Sequence, residues 1–359
     1  MWIARGLIAE TGIAERAVHS GVARLAESIM AAGGASLQVV LPDGSHIGFG
    51  LPARVKLVIR DQAMLAQLAN ATLASLAEAY VQGRIDVQGD FLEAVPLAER
   101  ISDAAGSHPA QRVARILLKH TSRQDRGAIG YHYDVGNEFY RLWLDERMVY
   151  SCAYFKTGEE SIDEAQRAKL DHICRKLRLS AGERLLDVGC GWGGLVLHAA
   201  RQYGARAVGI TLSQNQFELA RERIAEEKLA DRVEVVLLDY RELQKRFGAD
   251  AFDKVASVGM FEHVGLANLP EYFASIIGVL RDRGLFLNHG ITSSDLDNRP
   301  IGSGVGDFVH KYVFPHGELP HLHVAAREMS YAGFEIVDVE SLRPHYAKTL
   351  EQWSRRLDA

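Results

Sequence analysis

RLLDVGCGWGG, residues 184–194, decides the fold of this 359-residue chain. Arg184 to Val188 reads as a short buried strand, and the glycines at 189, 191, 193 and 194 read as a bend that opens a helix. Glycine lets the backbone come close to a ligand, and the N-terminus of the following helix can receive an anionic group. Dinucleotide-binding folds share such a loop, but two features turn the reading away from them. Asp187 stands two positions before Gly189, and the next strand runs into TLSQNQ, residues 211–216, with no acid for a ribose.

Outward from the loop, strand-like and helix-like runs alternate. EAQRAKLDHICRKLRLSAGE (164–183) reads as an amphipathic helix. ARAVGIT (205–211), VEVVLLD (233–239), FDKVASVG (252–259), GLFLNHGI (284–291) and FEIVDVE (334–340) read as strands, with helices at 215–229 and 269–280 between them. This alternation predicts an α/β fold with a doubly wound, mainly parallel, Rossmann-like sheet and ligands at the C-terminal ends of its strands.

Upstream, residues 37–60 alternate β-prone runs with the turn signals PDG and GLP, which predicts a strand pair and a third strand. Residues 63–83 repeat apolar positions at helical spacing and stop at Gly83. The expected organisation is a smaller α+β domain over 1–119, a polar, glycine-containing linker over 120–130, and the larger domain over 131–359. The chain stops at EQWSRRLDA, which reads as a helix interior, so a further C-terminal segment is expected.

A hydrophobic fraction of 47% with 24% charged residues is ordinary for a soluble enzyme, and no apolar run is long enough to span a bilayer. The N-terminus carries acids and lacks a secretory pattern, which predicts a cytoplasmic protein. Cys152, Cys174 and Cys190 form no CxxC pair and are odd in number, so neither zinc nor a disulfide framework is expected. A net charge of −5 argues against broad nucleic-acid binding and leaves room for a local basic patch at anionic lipid.

Seven segments then carry a resemblance. YHYDVGNEFYRLWLDERMVYSCAYF (131–155), LLDVGCGWGG, GITLSQNQ, SVGMFEHVG (257–265), LNHGI (287–291), KYVFPHGELP (311–320) and HYAKTLEQW (345–353) resemble, in family order, the cyclopropane fatty acid synthases and the related mycolic acid synthases. The resemblance implies a class I S-adenosylmethionine methyltransferase that methylenates a cis double bond in unsaturated phospholipid acyl chains at the membrane surface. The enzyme would be cytoplasmic, peripheral to the inner leaflet and without nucleic acid, with a homodimer left open. The region before residue 120 resembles, more loosely, the small domain of bacterial members.

Cofactor contacts implied by the resemblance fall on Tyr150, Ser151, Asp187, Gly189, Gly191, Gly193, Thr211, Leu212, Gln216 and Asp239. Asp239 would take the adenine amino group, and Gln216, able to donate and accept, the ribose hydroxyls. The base implied is a bound bicarbonate, held by Glu262, His289, Tyr346 and backbone amides near Cys152 and Ile291. Each residue has a plainer reading: Glu262 as a helix cap or partner of His263, His289 and Tyr346 as core residues, Cys152 as an inert thiol. Of the crowded aromatics, Tyr150 and Tyr154 are candidates for a site wall that steadies a cation. Asn288 and Gly290 around the histidine, and His316, depart from the family pattern.

Rival readings are a methyl- or methylene-branching enzyme on acyl chains, a methyltransferase for a small natural product, and a non-catalytic carrier. Joint retention of Glu262, His289 and Tyr346 speaks against the carrier.

Overall fold

A computed structural model of the chain describes residues 36–49, 52–67, 72–104, 136–296, 308–313 and 317–358. The 120–130 linker, Tyr131, Tyr133 and His316 lie outside the described residues. The chain divides into two units, Met1–Ala114 with Pro300–Tyr312, and Arg115–Arg299 with Val313–Ala359.

In the first unit, β1 (Leu37–Val40) pairs antiparallel with β2 (His46–Phe49) and parallel with β3 (Val55–Ile59). Helices α1 (Gln62–Gln67) and α2 (Leu73–Val81) follow, then β4 (Ile85–Gly89) and α3 (Phe91–Ala104). The sheet order is β2-β1-β3-β4, with β4 antiparallel to β3. The single helix expected over 63–83 is instead two. Thr72 caps α2 by accepting from the Ser75 amide while Ser75 Oγ accepts from the Thr72 amide, a reciprocal pair that starts a new helix. Leu37, Val39, Val55, Ile59, Met64 and Ile85 form part of this unit's core.

The second unit opens with α4 (Asn137–Trp143) and α5 (Ile162–Lys176), whose start is fixed by a capping box between Ser161 and Glu164. Strand β5 (Arg184–Val188) leads into the glycine loop and α6 (Gly194–Tyr203). Next come β6 (Arg206–Thr211), α7 (Gln214–Glu226), β7 (Val233–Leu237), α8 (Leu243–Phe247), β8 (Phe252–Val258), α9 (Leu269–Ile277) and β9 (Leu280–His289). Helices α10 (Leu322–Ala332) and α11 (Arg343–Leu357) finish the unit.

Its five strands run β7-β6-β5-β8-β9 and every pair is parallel, as the βα alternation predicts. Side chains alternate across the sheet: Leu185 joins the core with α5, α6 and α7, whereas Leu186 and Val188 join the core with α8, α9 and α10. The strand order reverses between β5 and β8, and the crevice outside their C-terminal ends is where such sheets bind ligands.

FEIVDVE differs from expectation, since residues 334–340 form no strand. Its alternate residues are not drawn to a ladder: Phe334 packs on Phe286 at 5.3 Å, while Ile336, Val337 and Val339 are exposed. Glu340 is held by Lys176 at 2.7 Å and His172 at 2.8 Å, so side-chain ion pairs to α5 place the segment where backbone pairing does not.

Candidate active site

The glycine loop adopts the backbone its composition requires. Gly189, Gly191 and Gly193 all have positive φ, and a Cβ at Gly189 would come within 2.9 Å of the Met260 side chain. A cavity opens over this loop. Tyr150, Ser151, Asp187, Gly189 and Gly191 line it from one direction, and Thr211, Leu212 and Gln216 from the end of β6. Gly193 and Asp239, expected with them, are not among its lining residues. Gly193 caps α6. Asp239 is buried and turned to Arg241, which binds its carboxylate at 3.0 Å.

Hydrogen bonding fixes which end of Gln216 meets the cavity. Thr211 Oγ1 accepts from the Ser213 amide at 3.2 Å, so its own proton goes to Gln216 Oε1 at 2.8 Å. The Gln216 carbonyl is thereby occupied and the NH₂ group remains, making the residue a donor rather than the two-way partner the sequence suggested.

Two polar residues on α5 were not anticipated. Gln166 and Lys169 sit on the buried face with Ile162, Ala165, Leu170 and Ile173. Gln166 Nε2 donates to the carbonyls of Val149 at 3.1 Å and Ser151 at 2.8 Å, and Lys169 Nζ donates to Ser151 Oγ at 2.8 Å. Burial lowers the Lys169 ammonium to about 8, and burial raises Asp187 to about 7. The signal was present in EAQRAKLDHICRKL: a glutamine and a lysine at helical spacing on the apolar stripe.

On its other side, the 149–155 segment is tied to α11 and the turn before it. The Ala153 amide donates to Thr349 Oγ1 at 3.0 Å and the Phe155 amide to His345 Nδ1 at 3.0 Å, while the Cys152 thiol lies between the Ala153 carbonyl at 3.3 Å and the Leu342 carbonyl at 3.8 Å. Burial pushes the Cys152 thiol up to about 11, so at neutral pH it is no thiolate nucleophile. Tyr150 packs among Tyr140, Trp143 and Trp353 with centroids 5.1–5.6 Å away. Tyr154 does not join that wall; it is stacked between His172 at 4.2 Å and His345 at 4.6 Å.

The second group of predicted residues gathers at the ends of β8 and β9. Glu262 is 6% exposed, and its Oε1 accepts from the Ile291 amide at 2.7 Å. Its Oε2 is buried with no partner, and burial raises the carboxyl to about 7. His289 Nδ1 is likewise buried and unpartnered, and burial, assisted by the Lys169 charge, lowers the imidazole to about 4. Gly290 allows the approach: a Cβ there would lie 2.0 Å from the Phe261 ring and 3.2 Å from Glu262 Cδ. Glycine at this position is thus a close-packing requirement. Tyr346 on α11 is raised by burial and then by the charges of Glu262, Tyr150 and Cys152, and it packs on the same aromatic cluster as Tyr150, 6.4 Å from the Trp353 ring. The Ile291 amide, expected to face an anion, here orients Glu262.

A family model described as mycolic acid cyclopropane synthetase matches residues 120–359, and one described as a domain of unknown function matches residues 25–107. The chain is 48% identical over 326 residues to a Pseudomonas putida protein named "Probable fatty acid methyltransferase", covering 90% of this chain and 81% of that one. It is 42% identical over 225 residues to the cyclopropane-fatty-acyl-phospholipid synthase of Escherichia coli K12, covering 63% of this chain and 55% of that one. Among solved structures it resembles the mycolic acid cyclopropane synthase CmaA1 complexed with SAH and CTAB, with a TM-score of 0.60, 34% identity, and coverage of 67% of this chain and 84% of that chain.

Proposed function

The chain belongs to the mycolic acid cyclopropane synthetase family, and on that premise we propose that it transfers a methylene unit from S-adenosylmethionine to cis double bonds of unsaturated phospholipid acyl chains. The observation that carries this reading is a donor-lined cavity over the glycine loop whose lining includes Gly259, Met260 and His263, the chain neighbours of Glu262, which like His289 keeps a buried, orphaned polar atom. Buried polar atoms without partners are uncommon and invite a guest that satisfies them.

The cavity suits the cofactor: Gln216 offers an amide donor, Ser151 and Lys169 offer donors, and the loop glycines admit close backbone approach. S-adenosylmethionine bound there supplies an electrophilic methyl group, and an alkene that takes it becomes a carbocation that closes to a ring on losing a proton. Tyr150 lines the cavity, backed by the buried rings of Tyr140, Trp143 and Trp353, and its π face would tolerate positive charge there. Glu262, with its carboxyl raised to about 7, and His289, with a sealed Nδ1, hold or move a proton at that point. With Tyr346 they would also hold a bicarbonate ion, whose basicity would supply the proton acceptor.

The protein works peripherally at the cytoplasmic leaflet in this reading, with the first unit contributing to lipid association. No helix among the described residues is long and apolar enough to cross a membrane. A second reading, methyl- or methylene-branching of the acyl chain, is favoured by the name of the Pseudomonas putida relative. Incubating the whole chain with methyl-labelled S-adenosylmethionine and vesicles of an unsaturated phospholipid, followed by mass spectrometry of the fatty acids, tests both. A gain of one CH₂ with loss of the double bond, abolished in Glu262→Gln, is expected. A branched product transfers the function to the second reading, and no labelled lipid overturns both.

A further inference from the structure

Glu262 stands on a support that does little to hold itself. Strand β8 ends at Val258, and the chain then makes a single 3₁₀ turn at Phe261–His263 and a second at Leu266–Asn268. Such turns have poorer hydrogen-bond geometry than an α-helix and leave amides that a capping side chain would ordinarily take. The residues at the two cap positions are Met260 and Gly265, and neither caps its turn through a side chain. A buried carboxyl on so short a support needs a brace from elsewhere in the chain.

The brace comes from the end of KYVFPHGELP, a motif that supplies no residue to the cavity lining. The Glu318 amide donates to the Glu262 carbonyl at 3.0 Å, and Glu318 Oε2 accepts from the Leu266 amide at 2.7 Å. One residue thus grips the backbone of Glu262 and caps the turn that follows it. Two positions on, the Pro320 carbonyl accepts from the Ser293 amide at 3.1 Å, and His321 forms a β-bridge with Ser293. Ser293 closely follows Ile291, whose amide holds Glu262 Oε1 at 2.7 Å. Glu262 is therefore fixed at its backbone by Glu318 and at its side chain by Ile291, and residues 318–321 join the two holds. Its other oxygen, the buried and unpartnered Oε2, takes its direction from this ring of bonds.

We propose that Glu318 is the positioning residue for Glu262, acting through the Leu266 amide and the Glu262 carbonyl to aim Glu262 Oε2. The proposal rests on the proton-handling role given to Glu262 in the methylene-transfer reading above. Substitution separates the two bonds. Glutamine at 318 keeps a side-chain oxygen for the Leu266 amide, alanine removes it, and both keep the backbone donor to Glu262. Without the side-chain bond the Leu266 amide is left unsatisfied, the turn loosens, and water gains access to the carboxyl.

Two readouts on the whole chain test this, each with Glu318→Ala and Glu318→Gln. The first is turnover of methyl-labelled S-adenosylmethionine on vesicles of an unsaturated phospholipid. Glu318→Ala is expected to lower kcat by about 10-fold to about 100-fold, the scale of a misplaced reacting group, and Glu318→Gln to remain within about threefold of wild type. The second needs no substrate: infrared difference spectra follow the protonated Glu262 carboxyl, identified by the loss of its band in Glu262→Gln. Burial sets its midpoint at about 7 in the wild type, and Glu318→Ala is expected to lower that midpoint by about one unit as water enters, with Glu318→Gln unmoved. An alanine variant that keeps wild-type turnover and midpoint overturns the proposal. So does one that loses turnover with the midpoint unmoved, which would make Glu318 a support of the fold alone, and so does a glutamine variant as impaired as alanine. A wild type that forms no labelled lipid overturns the methylene-transfer reading, and the band shift then decides by itself whether Glu318 governs Glu262.

Discussion

Replacing Glu262 with glutamine should change how stability responds to pH as well as abolish turnover. Its carboxyl is raised from an ordinary 4.5 to about 7 because burial penalises the charged form. The native state therefore holds this proton more tightly than the unfolded chain does. The resulting stability is fully present below pH 4.5 and is lost as pH rises through 7. Moving a carboxyl over that interval corresponds to about 3 kcal/mol. Glutamine is isosteric, keeps an oxygen for the Ile291 amide and cannot ionise, so the variant should lack this part of the pH dependence. Urea unfolding followed by tryptophan fluorescence is the assay, because Trp143, Trp192 and Trp353 all lie in the second unit. Between pH 5 and pH 8 the wild type should lose about 2.5 kcal/mol relative to the variant. Superimposable pH profiles would refute the argument that Glu262 is a buried, reluctant acid.

Two other substitutions or treatments probe the packing of the site. Gly290→Ala places a methyl group against the buried Phe261 ring, and the overpacking should cost about 1–3 kcal/mol and lower activity by displacing Glu262. Phe261→Leu in the same chain should recover part of the melting temperature, and a Gly290→Ala protein that melts like the wild type would dismiss the close-approach account. Iodoacetamide at pH 7.5 should leave Cys152 and Cys174 unmodified in the native protein, since burial holds these thiols up to about 11 and about 12. Peptide mass spectrometry reads the result, and rapid native labelling at Cys152 would reopen a nucleophilic role.

Legibility in this sequence follows how local each determinant is. The strand, glycine loop and helix around residues 184–203 could be read because their requirements lie within the segment: positive φ at the glycines and an apolar run before them. The break before α2 was also local, written in Thr72 and Ser75, but the continuous apolar spacing around it masked the cap. β4 escaped because IDVQG has few apolar residues and owes its place to pairing with β3. FEIVDVE failed in the opposite sense: its alternation suits a strand, but a strand needs a neighbour, and the ion pairs of Asp338 and Glu340 with Lys176 hold it elsewhere.

The site divides along the same line. Glu262, His289 and Tyr346 were singled out by resemblance alone; that Glu262 and His289 keep sealed, unpaired atoms is a property of three segments meeting, and no one of them encodes it. Gln216 was expected as a cofactor contact, and that it presents a donor to the cavity depends on the proton order from Ser213 through Thr211. Lys169 was hardest to see, because a lysine in a charged helix is ordinarily solvated. Only the packing of α5 against β5 and the 149–155 segment turns that side chain inward, where Asp187 shares its cavity and Ser151 accepts its bond. The residue types could be recognised from the chain, whereas their protonation and direction arise from the enclosure that the fold builds around them.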